Sequence, residues 1–575
     1  MTDSTIFPVQ YGLTLKTTAA ATGYFSADPK PLPSFEAALA YQRRCPNDSF
    51  MRTYLLGLLC AMDADQVIAR LDETPETDLL FRSLVLEAAW LSPHLEPLKK
   101  RFRSRDSRRL AGQSPLISLR SAILGDQALH QKWAALFHSN FTRHRPLPPP
   151  EKTGLSFPVP SVNGHDLLLP ESAHLKSILP MCLAEKEALS KGEPRPLLEE
   201  TLSRALAALS RISVFDGPEM RHQSSLSPCA LLRKWRFSRD IDCGALGYTL
   251  SGTQTSYGRG VSVDKARVSC LMEVVERYSS FAGVDPTHVR ETRRPHPLVH
   301  GSLSSLRSDG RHVLDPNQLN LEVPYRDEPL YWMAGEECTA AGSRDIWVPV
   351  QCVFLFCNLD ERTLFSGLGS TGLASGNTIA EARLSALYEL LERDSEAVSP
   401  YHFSRCFRIW AKNEKMAALL GDYQARGIHV QFQDISPAFG IPVCTAFVTG
   451  RDGTVFRGGG AHLDGKKAVL SALTEIPYPY PEGPPSAPAI PDLPWLQYED
   501  LPDFSTGIPD LDLQIVEKTL AANGFSPIYV DITRKDLDIP VVRAIIPGFE
   551  IMADFDMYTR ISPRLFNTYL KMFKT

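Results

Sequence analysis

The fold is decided by the stretch Gly367–Asp394, GLGSTGLASGNTIAEARLSALYELLERD, in which a glycine-rich loop passes directly into a strong helix former. Thr378, followed three residues later by Glu381, predicts a capping box, so the helix is expected to begin near Asn377. With leucines on the opposite side, a helical wheel gives this helix one charged face, made by Glu381, Glu389, Glu392 and Arg393. Three carboxylates and a guanidinium are therefore expected on one face, directly after the loop.

The same acidic pattern occurs three times in the chain. Lys265–Ser279 (KARVSCLMEVVERYS) aligns without gaps with Glu381–Ser395 (EARLSALYELLERDS), and eight of fifteen positions are identical. A third copy, Lys467–Glu475 (KAVLSALTE), shares six of nine positions and stops before Pro477, which cannot continue a helix. One copy alone is most simply an amphipathic helix with a solvated face. Carboxylates that recur in register favour three helices that converge on a common site.

Length and composition limit the possible functions. At 575 residues the chain can hold two or more domains, and its net charge of −5 gives no broad basic surface for nucleic acid. The one basic run, between Lys99 and Arg109, reads as a solvated helix end. The eleven cysteines lack zinc-site spacing. Because neither a signal-peptide pattern nor an apolar run of membrane length is present, we expect a cytoplasmic protein that contacts neither nucleic acid nor membrane.

The predicted elements change in character along the chain. Residues 1–145 are expected to form a helical N-terminal domain that serves as a scaffold or docking surface, with residues 1–34 irregular. The proline-rich stretch Arg143–Pro150 (RHRPLPPP) opens a linker and lead-in over residues 146–194. From residue 195 to residue 575, strands alternate with the acidic helices. We therefore expect an α+β protein in which repeated acidic helices pack on mixed or antiparallel sheets behind an all-helical N-terminal domain.

Local propensity gives several further expectations around the acidic helices. We expect a buried strand at Trp347–Phe356, a short strand at Thr363–Ser366, a helix over Arg408–Arg426 and a tight basic turn at Tyr257–Gly260. His462 lies near the third acidic helix, and a lone histidine in that setting is expected to be structural rather than catalytic.

The glycines of the opening loop fit three common motifs poorly. Gly367-x-Gly369-x-x-Gly372 has the spacing of the dinucleotide fingerprint, but the predicted helix begins well after Gly372 instead of among the glycines. The chain has no GxxxxGK[ST], so a P-loop is absent. Leu373 stands where the GxSxG motif needs a glycine, which argues against Ser375 as the nucleophile of a hydrolase in a nucleophile elbow.

Several glutamates that face a few arginines favour the binding of a divalent metal ion together with phosphate. Mg²⁺ prefers hard oxygen ligands and commonly joins carboxylates to substrate phosphates, while arginine suits bidentate contact with phosphate. The backbone N–H groups of Ala374–Asn377, at a helix N-terminus, form a natural anion site. Together these features predict a nucleotide phosphate held through Mg²⁺. A glutamate pair that acts as acid and base, as in a glycosidase, is the alternative, although no aromatic sugar-stacking pattern accompanies it.

The spaced motifs resemble the signature of the YcaO family of ATP-dependent enzymes. They are Ser269-x-x-x-Glu273-x-x-Glu276-Arg277, the loop Gly372–Asn377, and Glu381…Glu389-x-x-Glu392-Arg393. The likeness spans residues 195–560, including Ala472–Glu475 and the closing stretch Ile539–Gly548. The resemblance implies an ATP fold unlike that of kinases or P-loop proteins. It also implies that ATP phosphorylates a peptide amide oxygen, which a nucleophile then replaces to give an azoline, a thioamide or an amidine.

The resemblance further implies ATP and Mg²⁺ as cofactors and a role for individual residues. Mg²⁺ and the triphosphate would be held by Glu273, Glu276, Glu381, Glu389, Glu392 and Glu475. The nucleotide would be contacted by Arg259, Ser269, Glu276, Arg277, Asn377, Glu389 and Arg393. Catalysis would depend on Arg277, Arg393 and Glu392.

The sequence departs from the family's pattern in three ways. Arg259 stands where lysine is frequent, and Ala374 and Ser471 replace a common serine and glutamine. The proline-rich tail typical of azoline-forming members is missing, which leaves thioamide formation and support of ribosomal-protein methylthiolation as alternatives. We expect a peptide or protein substrate, a homodimer, and a partner protein of the sulfur-delivery or radical methylthiotransferase type. A non-catalytic ATP-binding accessory factor for such a partner is the second hypothesis.

Overall fold

The computed structural model describes residues 9–16, 24–157, 177–186, 193–222, 225–355, 358–551 and 555–573. Its helices are α1 (Phe35–Arg44), α2 (Ser49–Cys60), α3 (Ala64–Glu73), α4 (Leu79–Leu91), α5 (Ser104–Ala111), α6 (Ile117–Ala122), α7 (Gln127–Arg143), α8 (Pro150–Thr153), α9 (Ile178–Lys186), α10 (Leu198–Arg211), α11 (Val263–Ser280), α12 (Leu303–Ser308), α13 (Ile379–Val398), α14 (Glu414–Ala425), α15 (Gly465–Glu475), α16 (Pro509–Ala522) and α17 (Pro563–Lys571). Its strands are β1 (Val9–Lys16), β2 (Tyr24–Lys30), β3 (Met220–Arg221), β4 (Cys229–Cys243), β5 (Leu246–Gly260), β6 (His288–Val289), β7 (His296–Pro297), β8 (Val299–Gly301), β9 (Leu330–Thr339), β10 (Gly342–Pro349), β11 (Leu373–Ser375), β12 (Cys406–Trp410), β13 (Gln431–Asp434), β14 (Val443–Thr449), β15 (Val455–Ala461), β16 (Trp495–Gln497), β17 (Ile528–Asp531) and β18 (Val541–Ile545). Within these ranges, no helix combines the length and the apolar composition needed to cross a membrane.

Within the described ranges, the strands form three larger sheets and one short hairpin. The first sheet is mixed, with the order β2-β1-β5-β4-β3 and β1 parallel to β5. The second is antiparallel, with the order β10-β9-β17-β18-β11 and β8 paired to β9. The third has the order β15-β14-β13-β12-β16 and is antiparallel except between β12 and β16, while β6 pairs with β7. The predicted α+β class, with mixed and antiparallel sheets, is confirmed.

The three repeated sequences form three strand–helix units, β5–α11, β11–α13 and β15–α15. Each helix begins directly after an N-cap residue at the same repeat position, and its side chain accepts a backbone N–H of the first turn. These caps are Ser262, Thr378 and Asp464. At the predicted capping box, Thr378 Oγ1 accepts the Glu381 N–H at 3.1 Å, whereas Glu381 Oε2 accepts the N–H of Asn377 at 2.8 Å. The sequence repeat is therefore also a structural repeat.

Glycines allow each strand to lie directly on its helix. A Cβ on Gly258 of β5 would collide with the carbonyl oxygen of Ala266, and a Cβ on Gly460 of β15 would collide with that of Ala468. In the second unit, Gly376 lies against the start of α13 in a similar way. The main chains of strand and helix thus touch without an intervening side chain, which fixes where the acidic side chains emerge.

The N-terminal helices pack against the rest of the chain in two places. Helices α1 to α7 follow the prediction, but residues 9–16 and 24–30, expected to be irregular, supply β1 and β2 of the first sheet. One continuous core runs from Tyr11 through these helices to the strands of the second sheet. A second core joins α7 to α17 through Trp133, Phe137, Phe141, Leu147, Ile561, Leu565, Phe566 and Tyr569. The domain boundaries at residues 145 and 194 stay a prediction, and most of the linker lies outside the described residues.

Four local predictions differ from the structure because long-range contacts override local propensity. Tyr257–Gly260 continues β5, since it pairs with β4 instead of turning. Thr363–Ser366 forms no strand, and its backbone N–H groups are bound by Pro115 and Glu322. Arg408–Arg426 divides into β12 and α14. The strand predicted over Trp347–Phe356 ends at Pro349, and Phe356 lies outside the described residues.

His144 joins the end of α7 to the third sheet and makes the fold sensitive to acid. Its ring stacks on Tyr401 with 3.7 Å between the centroids and meets Phe447 edge-on at 4.5 Å. Burial lowers the pKa of His144 to about 3, so the unfolded chain binds this proton more tightly than the native protein does. The free energy of unfolding should therefore fall as the pH drops below about 6.5, by up to roughly 1.4 kcal/mol per pH unit.

Urea unfolding at several pH values tests this expectation by comparing variants. His144→Phe keeps an aromatic ring in the stack but does not titrate, so its stability should depend less steeply on pH than that of the wild type. His138→Gln, a change of an exposed residue on the same helix, should keep the wild-type dependence. Equal pH dependence in His144→Phe and the wild type would show that the native protein does not exclude this proton.

Candidate functional site

The acidic helices bring glutamates from all three repeats into one region. Glu273 and Glu276 lie on α11, Glu389 and Glu392 lie on α13, and Glu475 is the last residue of α15. Charge repulsion acts between Glu276 and Glu389, and also between Glu392 and Glu475. Five of the six predicted metal ligands are therefore electrostatic neighbours. We call this set of five the glutamate group.

Two arginines lie between these carboxylates. Arg277 Nε is 3.6 Å from Glu273 Oε1, and Arg277 Nη1 is 3.2 Å from Glu276 Oε1. Arg393 Nη2 is 3.5 Å from Glu392 Oε1. Since Arg277 and Arg393 hold the same repeat position, the first two helices each bring their own guanidinium next to their own glutamates.

In the third unit, the arginine next to the glutamate comes from the first unit. Helix α15 ends at Glu475, just before Pro477, and has no residue that corresponds to Arg277. Arg259, from the end of β5, places its Nη1 3.9 Å from Glu475 Oε1. This contact links the first and third units directly.

Arg543 on β18 is a further member of the site that the sequence analysis did not select. It is 2% exposed, and its positive charge acts on Glu389 and Glu276. Its Nη1 donates to the carbonyl oxygen of Gly369 in the glycine-rich loop at 3.0 Å. The available signal was one charged residue inside the apolar stretch Ile539–Ile546 (IPVVRAII).

Glu396 is the second missed residue, one turn beyond Glu392 on α13. Its Oε2 accepts a hydrogen bond from Arg393 Nη1 at 3.0 Å, and it is 6% exposed. A Cβ on Gly459 would lie 2.7 Å from Glu396 Oε1 and 2.8 Å from Glu392 Oε1. The repeat comparison could not find Glu396, because Ser280 occupies its position in the first unit.

The contacts of Glu381 and Asn377 join them to residues outside the glutamate group. Glu381 is in the first turn of α13, where its Oε1 is 3.3 Å from Arg195 Nε and its Oε2 caps Asn377. The carbonyl oxygen of Asn377 accepts a hydrogen bond from Arg204 at 3.0 Å. Ser269 is exposed on α11. The assignment of these residues to metal or nucleotide stays a prediction.

Burial and mutual repulsion disfavour the ionised form of the glutamates. Burial raises the pKa of every member of the glutamate group, most strongly those of Glu276 and Glu392, and the nearby arginines offset only part of this effect. The carboxylates in turn stabilise the charged arginines. They hold the pKa values of Arg277 and Arg393 above the usual value, although burial alone would lower them. Burial lowers the pKa of Arg543 to about 10. The protein alone therefore leaves negative charge in this region incompletely compensated.

The available donors fit a divalent cation that is bound together with a phosphate. Among the residues that the structure describes, no three His, Cys, Asp or Glu side chains come close enough together to hold a metal ion by themselves. In the same part of the chain, near the glutamate group, Arg259 Nε and Arg543 Nε are buried guanidinium nitrogens without a hydrogen-bond acceptor, and Arg277 Nη1 has only its ion pair with Glu276. Carboxylate oxygens suit Mg²⁺, and unpaired guanidinium N–H groups suit phosphate oxygens.

His462 has the contacts of a structural residue. Its Nδ1 accepts the backbone N–H of Asp464, the N-cap of α15, at 2.8 Å. Its ring stacks on Tyr388 with 4.7 Å between the centroids, and burial lowers its pKa to about 3. Because its unprotonated nitrogen already accepts a hydrogen bond, the neutral imidazole stabilises the start of α15 and cannot act as a general base.

The raised pKa values of the glutamates predict how stability depends on pH without ligand. Between the pKa of an unfolded glutamate, about 4.3, and the higher native pKa, the native state binds more protons than the unfolded state. The free energy of unfolding should therefore decrease as the pH rises through this window. Glu392→Gln removes one of these titrations, so its thermal stability relative to the wild type should improve from pH 4.5 to pH 8.

Glu414→Gln is the matched control, because Glu414 is exposed at the start of α14. Its stability relative to the wild type should stay constant across the same pH range. If the difference in thermal stability between Glu392→Gln and the wild type is also constant across this pH range, the native environment does not raise the pKa of Glu392.

Comparison with known proteins places this architecture in a family. A family model described as YcaO cyclodehydratase, ATP- and Mg²⁺-binding, matches residues 257–478 and 476–550, together just over half of the chain. An uncharacterised protein of Methanothermobacter thermautotrophicus (strain Delta H) is 30% identical over 346 residues, which cover 52% of this chain and 82% of that protein.

Two solved structures are similar at lower identity. A heterocyclase in complex with substrate and cofactor is 19% identical with a TM-score of 0.49, and the match covers 63% of this chain and 54% of that chain. YcaO from Methanopyrus kandleri, bound with AMPPCP and Mg²⁺, is 23% identical with a TM-score of 0.44, and the match covers 62% of this chain and 91% of that chain. This chain thus spans about half the length of the heterocyclase.

The family match confirms three expectations from the sequence. They are the family itself, ATP and Mg²⁺ as cofactors, and an ATP-dependent enzyme that activates backbone amides. The family match leaves the product open. The chain belongs to the YcaO cyclodehydratase family, whose members bind ATP and Mg²⁺.

Proposed function

We propose that the glutamate group and its arginines bind ATP with Mg²⁺ and direct the γ-phosphoryl group to a backbone amide oxygen of a peptide or protein. The observation that carries the proposal is the meeting of carboxylates from all three repeats with arginines, two of which, Arg259 and Arg543, keep a buried N–H group without an acceptor among the described residues. Such a set complements a triphosphate, because the arginines face the phosphate oxygens and the carboxylates attract the accompanying cation.

The arginines are oriented before the nucleotide arrives. Arg277 is held by Glu276, and Arg393 is held by Glu392 and Glu396. Fixed guanidinium groups stabilise charge on the transferred phosphoryl group without reorganising during the reaction. We therefore assign the main catalytic contribution to Arg277 and Arg393, with Glu392 as the acidic partner of Arg393.

The other predicted residues receive supporting roles in this proposal. When bound, Mg²⁺ neutralises phosphate charge, and its proposed ligands are Glu273, Glu276, Glu381, Glu389, Glu392 and Glu475. The proposed nucleotide contacts are Arg259, Ser269, Glu276, Arg277, Asn377, Glu389, Arg393 and the newly found Arg543. Because Glu381 lies in the first turn of α13 and Asn377 directly precedes its N-cap, we place both at one end of the nucleotide and Glu392 at the other.

The proposed reaction has two steps. The amide oxygen attacks the γ-phosphorus while the bond to ADP breaks, which gives an O-phosphorylated amide. A nucleophile then adds to the amide carbon and loses its proton, and phosphate leaves with the original amide oxygen. In the azoline route the amide nitrogen also gives up its proton as the C=N bond forms. A side-chain thiol or hydroxyl gives an azoline, and a sulfide gives a thioamide. For the sulfide route we propose a sulfur-delivering partner protein and a homodimeric enzyme.

Substitution of Glu392 tests the nucleotide site. Glu392→Gln keeps the size of the side chain but removes one charge that Arg393 and the cation both use, so it should abolish Mg²⁺-dependent ATP binding in calorimetry. It should also lower ATP turnover by about a hundredfold or more. The exposed Glu414→Gln should behave as the wild type. Normal turnover in Glu392→Gln would remove Glu392 from the site.

Wild-type behaviour in the same experiment separates the two functional hypotheses. Magnesium-dependent ATP binding followed by phosphate release in the presence of peptide supports the enzyme. Binding without turnover under any peptide condition would favour an accessory factor for a partner such as a ribosomal-protein methylthiotransferase.

Gly459 offers a test that leaves every charge in place. In Gly459→Ala the new methyl group would meet the carboxylates of Glu392 and Glu396 at 2.8 and 2.7 Å, so both should move and ATP affinity should fall by roughly tenfold. Gly421→Ala, on exposed α14 with open space around its Cβ, is the matched control and should bind ATP normally. Wild-type affinity in Gly459→Ala would place the nucleotide away from this pair.

A further inference from the structure

The glycine-rich loop of the site is preceded by a segment that the N-terminal helices hold. This anchor segment comprises residues 358–369 (NLDERTLFSGLG) and ends shortly before β11, the strand of the second unit. It has no helix or strand of its own. Its position therefore depends on side-chain and backbone contacts with other parts of the chain.

The first contact joins the anchor segment to the start of α2. Asn358 Oδ1 accepts hydrogen bonds from the backbone N–H of Ser49 at 3.0 Å and from its hydroxyl at 2.7 Å. Asn358 Nδ2 donates to Asp48 Oδ1 at 3.0 Å. Asp48 is fully buried and caps α2, so this bond is tied to the helix itself. Tyr248 of β5 donates to the carbonyl oxygen of Asn358 at 2.8 Å.

The middle of the anchor segment is bound to two further N-terminal elements. Asn47 Nδ2 donates to Asp360 Oδ1 at 2.9 Å. The hydroxyl and the backbone N–H of Thr363 both donate to the carbonyl oxygen of Pro115, at 2.9 and 3.0 Å. Arg120, on α6, donates to the carbonyl oxygen of Thr363. The N-terminal helices therefore hold the segment at several successive positions.

The end of the anchor segment reaches the site. Ser366 donates its N–H to Glu322 Oε2 at 2.6 Å, and the carbonyl oxygen of Gly369 accepts from Arg543 at 3.0 Å. Arg543 is the buried arginine whose charge acts on Glu389. A series of contacts thus runs from α2 to Arg543, whose charge acts on the glutamate group.

A separate contact reaches the far end of α13. Helix α7 packs on α17 through Trp133 and Phe566, whose rings are 4.9 Å apart. From α17, Arg564 Nη2 binds Asp394 Oδ2 at 2.8 Å, and Asp394 directly follows Arg393. Through α17, the N-terminal helices therefore also reach the C-terminal half of α13.

We propose that the N-terminal helices are a positioning element of the nucleotide site, and that Asn358 is the residue through which α2 sets the position of the glycine-rich loop and Arg543. The part of this inference that concerns ATP rests on the proposed function. The part that concerns the loop rests on the contacts alone and has its own measurement.

Hydrogen exchange of the ligand-free protein tests the loop. Asn358→Ala breaks three hydrogen bonds between α2 and the anchor segment, so amides of residues 364–373 should exchange at least about fivefold faster. Ser83→Ala is the matched control, because it removes a buried hydrogen bond from Arg52 at 2.7 Å inside the N-terminal helices without touching the segment. Its melting temperature should fall in the same way, but its exchange at residues 364–373 should stay as in the wild type.

ATP binding by the same variants tests the consequence for the site. Asn358→Ala should raise the Kd for ATP with Mg²⁺ by roughly five- to tenfold, whereas Ser83→Ala should leave it unchanged. If Asn358→Ala does not fold, Asn47→Ala, which removes only the bond to Asp360, replaces it with a smaller shift of the same sign.

Two results would overturn the proposal. One is wild-type exchange at residues 364–373 in Asn358→Ala, and the other is an equal increase in Ser83→Ala. Absence of ATP binding in the wild type would instead contradict the proposed function, and the exchange result would still decide whether the N-terminal helices position the loop.

Discussion

Guanidinium groups between carboxylates are the constraint on which the rest of this structure depends. Two like charges 4 Å apart repel each other by about 4 kcal/mol at the effective dielectric near a protein surface, so five neighbouring glutamates cannot all ionise unaided. Arg277 and Arg393, at the same position of two repeats, and Arg259, at the end of β5, reduce this cost. The geometry of the three units serves to bring these opposite charges together.

The strand–helix unit has the same local geometry in each of the three repeats. Capped helix starts at Ser262, Thr378 and Asp464 fix the rotation of each helix, and glycines on the preceding strands let main chains touch. The helix of the third unit, α15, is shorter and contains no arginine. The site is therefore asymmetric although it is built from repeats, and Glu396 increases the asymmetry on α13.

The acidic helices, their caps and their convergence could be predicted because they depend on local signals and on a repeat visible in the sequence. The strand over Tyr257–Gly260 could not, since its glycines read as a turn until β4 is known to lie beside it. Arg543 was overlooked because an isolated charge in an apolar strand does not reveal which partners surround it. The attachment of the N-terminal helices depends on residues hundreds of positions apart, such as Asn47 and Asp360, which no local pattern connects.

The pairing of early and late segments also determines the order in which the chain can complete its fold during synthesis. Val9 lies beside Tyr248 in the first sheet, and most aromatic partners of α7 come from Phe555 and from α17. Contacts between residues so far apart in the sequence form late in folding, because the entropy cost of closing the intervening loop must be overcome first. While the ribosome makes the intervening residues, Trp133 and Phe137 have not yet met the partners that bury them in the native state. Nascent chains of this protein therefore carry an exposed aromatic surface for most of their translation, and that surface is the natural target of a chaperone.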